Sequence, residues 1–164
     1  MPDTDFISVG NSREVEADQL GVGTAITALV PGTTVIRVVD RDLRSEPEIA
    51  ELQAAGVRVL GRRHLESFLL EDEVLRALCV AKGQPEKTDE VLAIKEMALR
   101  ASIERGNDPD DLKRAAGDIY TNVRQALAMV QPGNNTEAFL SDTLAPLLTA
   151  GTGVFEELRQ NIFG

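Results

Sequence analysis

Two aspartates separated by one residue, Asp40 and Asp42, close the apolar run Val35-Ile36-Arg37-Val38-Val39. If the extended backbone persists past Val39, side chains alternate, so Asp40 and Asp42 project to one side and Arg41 to the other. Two carboxylates so placed can hold one hard cation or bracket a pair. Mg2+ suits such a site, since it takes one or two carboxylates and fills its other positions with water or phosphate oxygens. The same residues also suit a turn or cap after a strand, where acidic side chains are frequent. Spacing alone is a weak signal for a metal; at the close of a buried apolar strand the metal and turn readings are even.

Other residues extend this chemistry. Glu66 lies between Leu65 and Phe68, apolar residues that would pin its backbone. A carboxylate there can complete a cation shell or orient a ligating water; a salt bridge to Arg62 or Arg63 explains it equally well. Arg37, Arg41, Arg44, Arg58, Arg62 and Arg63 fall in one stretch. They suit phosphate contacts beside a metal, or pairing with Glu46, Glu48 and Glu51. His64, the only histidine, reads as a cap or partly buried polar residue and stays outside the site. Cys79 is the only cysteine, so there is neither a disulfide nor a cysteine metal site.

The elements that must position these residues follow from patterning. The β-branched run at 34–39 suits a strand buried on both faces, as in a parallel sheet. Ser45 and Glu48 form a capping box with Pro47 in the first turn, Ile49, Leu52 and Ala55 recur at helical spacing, and Gly56 stops the helix. Val57, Val59 and Leu60 then begin another strand, which completes a βαβ unit. Its acidic pair sits at the carboxyl end of the first strand, the edge where open α/β sheets bind ligands. Phe6, Ile7 and Val9 predict an earlier strand near 5–9, and Asn11 with Glu14 caps the helix after it. Gly21 and Gly23 lie within a helical pattern and read as close packing or a kink, not a phosphate loop. The expected α/β fold is thus a short, parallel, three-stranded Rossmann-like sheet over residues 1–70. Residues 71–164 read as a helical bundle, with helix starts at Asp72, Thr88 and Asp108-Pro109 and stops at Gly83, Gly106 and Pro132-Gly133.

The segment VIRVVDRDLRSEPEIAELQAAGVRVLGRRHLESFLL resembles the second half of a TOPRIM domain, in the form found in OLD-type (overcoming lysogenisation defect) ATP-dependent endonucleases. The matching motifs are Asp40-Arg41-Asp42 at a strand end and Arg62-Arg63-His64-Leu65-Glu66-Ser67-Phe68-Leu69-Leu70, with Ser67 and Phe68 standing where the family usually has Asn and Tyr. The likeness covers roughly residues 5–75. It implies a Mg2+- or Mn2+-dependent nuclease module that cleaves DNA and works with an ATPase domain of the same system. It further implies Asp40, Asp42 and Glu66 as catalytic metal ligands and Arg41, Arg62 and Arg63 as substrate contacts. TOPRIM domains open with a strand bearing Glu-Gly, whereas only MPDTD precedes Phe6 here. The expectation is therefore a carboxyl-terminal part, or a degenerate product, of such a protein.

The net charge of −10 over 164 residues argues against generic adhesion to nucleic acid or an anionic membrane. No apolar run is long enough to span a bilayer, and the default location is the cytoplasm. Against the nuclease reading stands a non-catalytic TOPRIM-like scaffold or dimerisation domain, with a homodimer as one partner arrangement. A phosphate- or nucleotide-binding α/β domain unrelated to nucleases is a weaker third.

Overall fold

The computed structural model describes residues 4–5, 7, 11–18, 21–130 and 135–164. Contacts divide the chain into two compact units, Met1–Leu60 and Gly61–Gly164.

The first unit contains α1 (Ser12–Glu16), α2 (Val22–Leu29), β1 (Arg37–Val39), α3 (Glu46–Ala54) and β2 (Val57–Val59). Both predicted capping boxes form. Asn11 accepts from the Glu14 amide while Glu14 accepts from the Asn11 amide, and the Glu48 carboxylate accepts from the Ser45 amide and hydroxyl. The Ser45 contacts hold the Glu48 carboxyl below its usual range. Gly56 takes φ +75°, a left-handed position that closes α3 and turns the chain directly into β2.

The sheet differs from the expectation. Among the described residues it has two parallel strands, with Arg37 opposite Val57 and Val39 opposite Val59. The expected strand near 5–9 falls mainly outside the described residues. Val39, Ile49, Val57 and Val59 form the buried cluster, with Val15 and Leu52 packed against it. Val35 and Ile36, expected inside, are more than a third exposed. Val35 instead lines an open cavity with Gly23, Thr24, Thr27 and Ala28 of α2.

The stretch after Asn11 also departs from a single interrupted helix. Asp18 adopts φ +46° and accepts from the Gly23 amide, the Thr24 amide and the Thr24 hydroxyl. It therefore caps α2 from outside the helix. The Gly23 amide leads the contacts that lower its carboxyl pKa, and they outweigh what desolvation adds. The donors an anion would need there are occupied by the chain's own carboxylate.

The second unit is helical: α4 (Glu66–Leu69), α5 (Asp72–Ala81), α6 (Thr88–Glu104), α7 (Leu112–Ala126), α8 (Thr136–Ala138), a π-helical turn over Phe139–Leu144, and α9 (Gly153–Phe163). Helices α6 and α7 pack as a hairpin. Phe68, Leu70, Leu75, Leu78, Val91, Ile119, Val123 and Phe139 are fully buried. Tyr120 packs on Phe139 with ring centroids 5.3 Å apart. Cys79 is buried in the same core, and burial pushes its thiol pKa up. Residues 61–70, read from sequence as the end of the α/β lobe, pack with these helices. No described helix is long and apolar enough to cross a membrane.

Replacing Phe68 by alanine should cost about 3–5 kcal/mol, because a fully buried ring leaves a cavity. Phe163→Ala, at a ring 40% exposed, should cost less than about 1 kcal/mol. Chemical denaturation of both variants measures the difference.

Candidate metal centre

The Asp40–Asp42 pair is built by the end of β1 and a tight turn. The Leu60 amide donates to the Val39 carbonyl at 3.0 Å, carrying the pairing one step past β2. The backbone then leaves the extended conformation, with Asp42 at φ +50°. Aspartate tolerates this left-handed region better than most residues, at a strain of about 1–3 kcal/mol. Strict alternation therefore ends at Asp40. The turn still brings the carboxylates together, with one oxygen of each within 4.8 Å of the other.

Such a separation fits a hard cation. Opposite oxygens on Mg2+ stand about 4 Å apart and cis oxygens closer, and on Ca2+ they stand about 5 Å apart. Two carboxylates would supply part of the shell, with water or phosphate oxygens completing it. The carboxylate oxygens of Asp40 and Asp42 are donors that suit Mg2+ or Mn2+.

Arg44 closes the turn. One of its terminal nitrogens donates to the Asp40 carbonyl at 2.5 Å, the Arg41 carbonyl at 3.2 Å and Asp42 Oδ2 at 3.0 Å. The other donates to Glu16 Oε1 at 2.5 Å. The arginine side chain is only 16% exposed, against 43% for that of Asp42. Arg41 instead pairs with Glu46 at the surface, at 2.5 Å. Arg37 donates to the carbonyls of Glu16 and Ala55 at 2.7 and 2.6 Å, satisfying the ends of α1 and α3.

The remaining predicted residues belong to the second unit. Glu66 opens α4 and pairs with Lys113 of α7 at 3.4 Å, in place of the arginines expected from sequence. Arg62 donates to both oxygens of Glu157 at 2.9 and 2.7 Å, to the Ser67 carbonyl at 3.0 Å and to Glu71. Its guanidinium also lies 4.9 Å from the centre of the Phe68 ring. The hydrogen bond to Glu157 leads the contacts that raise the Arg62 pKa. Arg63 bonds Asp108 and Asp110, each at 2.8 Å, and its side chain is 9% exposed. Those contacts explain why α7 starts at Leu112, capped by Asp111, rather than at Pro109. Two of the acids expected to open the helix are held by Arg63. His64 is buried, with Nε2 3.6 Å from Asp111 Oδ1.

Sequence reasoning placed Asp40 and Asp42 and counted Arg44 among the candidate phosphate contacts, but missed its bonds to the Asp40–Asp42 turn and to Glu16. No local spacing rule connects Arg44 and Glu16, residues 28 apart. Comparison of the chain with protein-family models, with curated proteins and with solved structures finds no match.

Burial works to raise the Glu71 pKa, but the Arg62 guanidinium and the Asp72 amide together hold it below the ordinary value. A carboxyl so depressed contributes stability that is complete above the unfolded value, about 4.3, and is lost as the pH falls through the folded one. The melting temperature should therefore drop on acidification below about pH 4. Glu71→Gln should flatten that limb relative to wild type, as thermal melts across pH 2–6 will measure.

Proposed function

We propose that this chain is a divalent-metal-dependent nuclease module of the TOPRIM type, the nuclease part of an OLD-type ATPase–nuclease that cleaves DNA phosphodiester bonds. The observation that carries the reading is the convergence of Asp40 and Asp42 at the carboxyl end of a parallel strand. In this reading the two aspartates hold Mg2+ or Mn2+ through oxygen. When bound, the cation would polarise the scissile phosphate and lower the pKa of a ligating water. Arg41 is the substrate contact best placed to engage. Its pair with Glu46 is solvent-exposed, and such pairs contribute about 0–1 kcal/mol, so a phosphate can displace the glutamate. Arg62 and Arg63 would have to release intrachain carboxylates to serve the same role. Glu66 is the third acid of the reading, tested by its own Glu66→Gln variant. An ATPase domain of the same system, a second copy of the chain and a cytoplasmic setting go with this proposal.

A second reading, a TOPRIM-like scaffold without chemistry, is favoured by how thoroughly Arg62 and Arg63 are bound within the fold.

Calorimetric titration of Mn2+ into the full chain should give saturable binding that the Asp40→Asn/Asp42→Asn double variant loses. Plasmid nicking at low salt with Mn2+ should follow the same pattern. Binding without nicking would favour the scaffold. Absence of saturable binding to wild type would overturn the metal centre and with it the nuclease.

A further inference from the structure

We infer that Arg44 is the positioning residue of the Asp40–Asp42 site, and that Glu16 anchors it there. The inference rests on the reading of these aspartates as metal ligands. It adds that their geometry is set by the chain before any cation arrives.

The argument starts from the turn. Asp42 lies at φ +50°, a conformation that needs support from its surroundings. Arg44 supplies this through one nitrogen that reaches the carbonyls of Asp40 and Arg41 and the carboxylate of Asp42. Each residue of the Asp40-Arg41-Asp42 turn is thus tied to one guanidinium. The opposite nitrogen is fixed by Glu16, on a helix remote in sequence. With 16% of its side chain exposed, Arg44 is held as part of the fold.

A guanidinium beside a metal site could instead act as a competing cation. The two roles predict opposite effects of removing it. A carboxylate has about four lone-pair sites on two oxygens, so Asp42 can accept from Arg44 and still ligate a metal. Partners that orient a ligand in this way typically change metal affinity by about 10–100-fold. A lysine cannot replace the fork, because its ammonium is one compact charge on a flexible stem. Charge and shape are therefore separable at this position.

The test uses the full chain, with Mn2+ titrated calorimetrically and Tb3+ luminescence lifetimes counting the waters on a bound ion. Arg44→Gln and Arg44→Lys should each weaken Mn2+ binding about 10–100-fold. Both should raise the Tb3+ water number as Asp42 leaves the shell. Glu16→Gln, remote from the ligands, should weaken binding several-fold in the same direction and serves if the Arg44 variants fail to fold. Unchanged or tighter Mn2+ binding with an unchanged water number, in variants that melt as wild type does, would overturn the positioning role while leaving the metal centre intact. Loss of affinity in Arg44→Gln restored fully by Arg44→Lys would also overturn it, because charge alone would then suffice. If wild type itself binds neither ion, the metal centre fails and this inference falls with it.

Discussion

A pair of three-residue parallel strands cannot carry a domain by apolar burial alone, and the first unit depends on arginine to make up the difference. Among the described residues its buried apolar positions are Val39, Ile49, Val57, Val59 and Leu60. Parallel strands are normally covered on both faces, and an isolated strand pair is marginal in water. Arg37 and Arg44 add directional bonds where apolar area is short. Arg37 collects the terminal carbonyls of α1 and α3, groups a helix end otherwise leaves without intrahelical partners. Arg44 joins α1 to the turn after β1. Both act through α1, so this five-residue helix, with no buried residue of its own, matters as a source of acceptors more than as apolar cover.

The second unit solves a different problem. Its helices bury a normal core, and the arginines serve as connectors over long sequence separations. Arg62 binds Glu157 of α9 across 95 residues of chain, and Arg63 reaches the loop before α7. The carboxylates gathered there would repel one another without a cation among them. Removing Arg62 would leave Glu71 and Glu157 partly buried without their shared cation, which is more damaging than the loss of a surface pair. Glu73 adds a similar long-range cap, accepting from the Gly153 and Val154 amides at the start of α9.

These arrangements mark what was legible in sequence. Local chemistry was: the two capping boxes, the stop at Gly56, the βαβ order and the carboxyl-edge position of Asp40 and Asp42 all follow from residues within about four positions of one another. Asp42's left-handed turn was not, because nothing in Asp-Arg-Asp-Leu-Arg distinguishes an extended exit from a tight one. Nor was α7's start. Asp108-Pro109-Asp110-Asp111 is a valid helix opening until Arg63 draws off two of its acids. The partners of the clustered arginines were the least legible part. The neighbours weighed for them were Glu46, Glu48 and Glu51. Only Arg41 takes one, while Arg44 reaches back to Glu16 and Arg62 reaches forward to Glu157.

The arginines also decide what a basic cluster in an acidic chain can do. A phosphate contact needs a cation that can exchange partners at small cost. Arg41 meets that condition, since its ion pair with Glu46 is solvent-exposed, and Arg58 projects from β2 with no carboxylate in salt-bridge range among the described residues. Arg44, Arg62 and Arg63 do not, because each is largely buried and bonds several oxygens at once. Counting arginines along the chain therefore overstates the basic surface open to a nucleic acid. Within the 37–63 stretch, attraction to DNA would come from Arg41, Arg58 and the metal's own charge, against a background of −10. A divalent ion between Asp40 and Asp42 would change the local charge by two, as much as Arg41 and Arg58 together. In the proposed nuclease reading the cation would recruit phosphate as well as serve the chemistry.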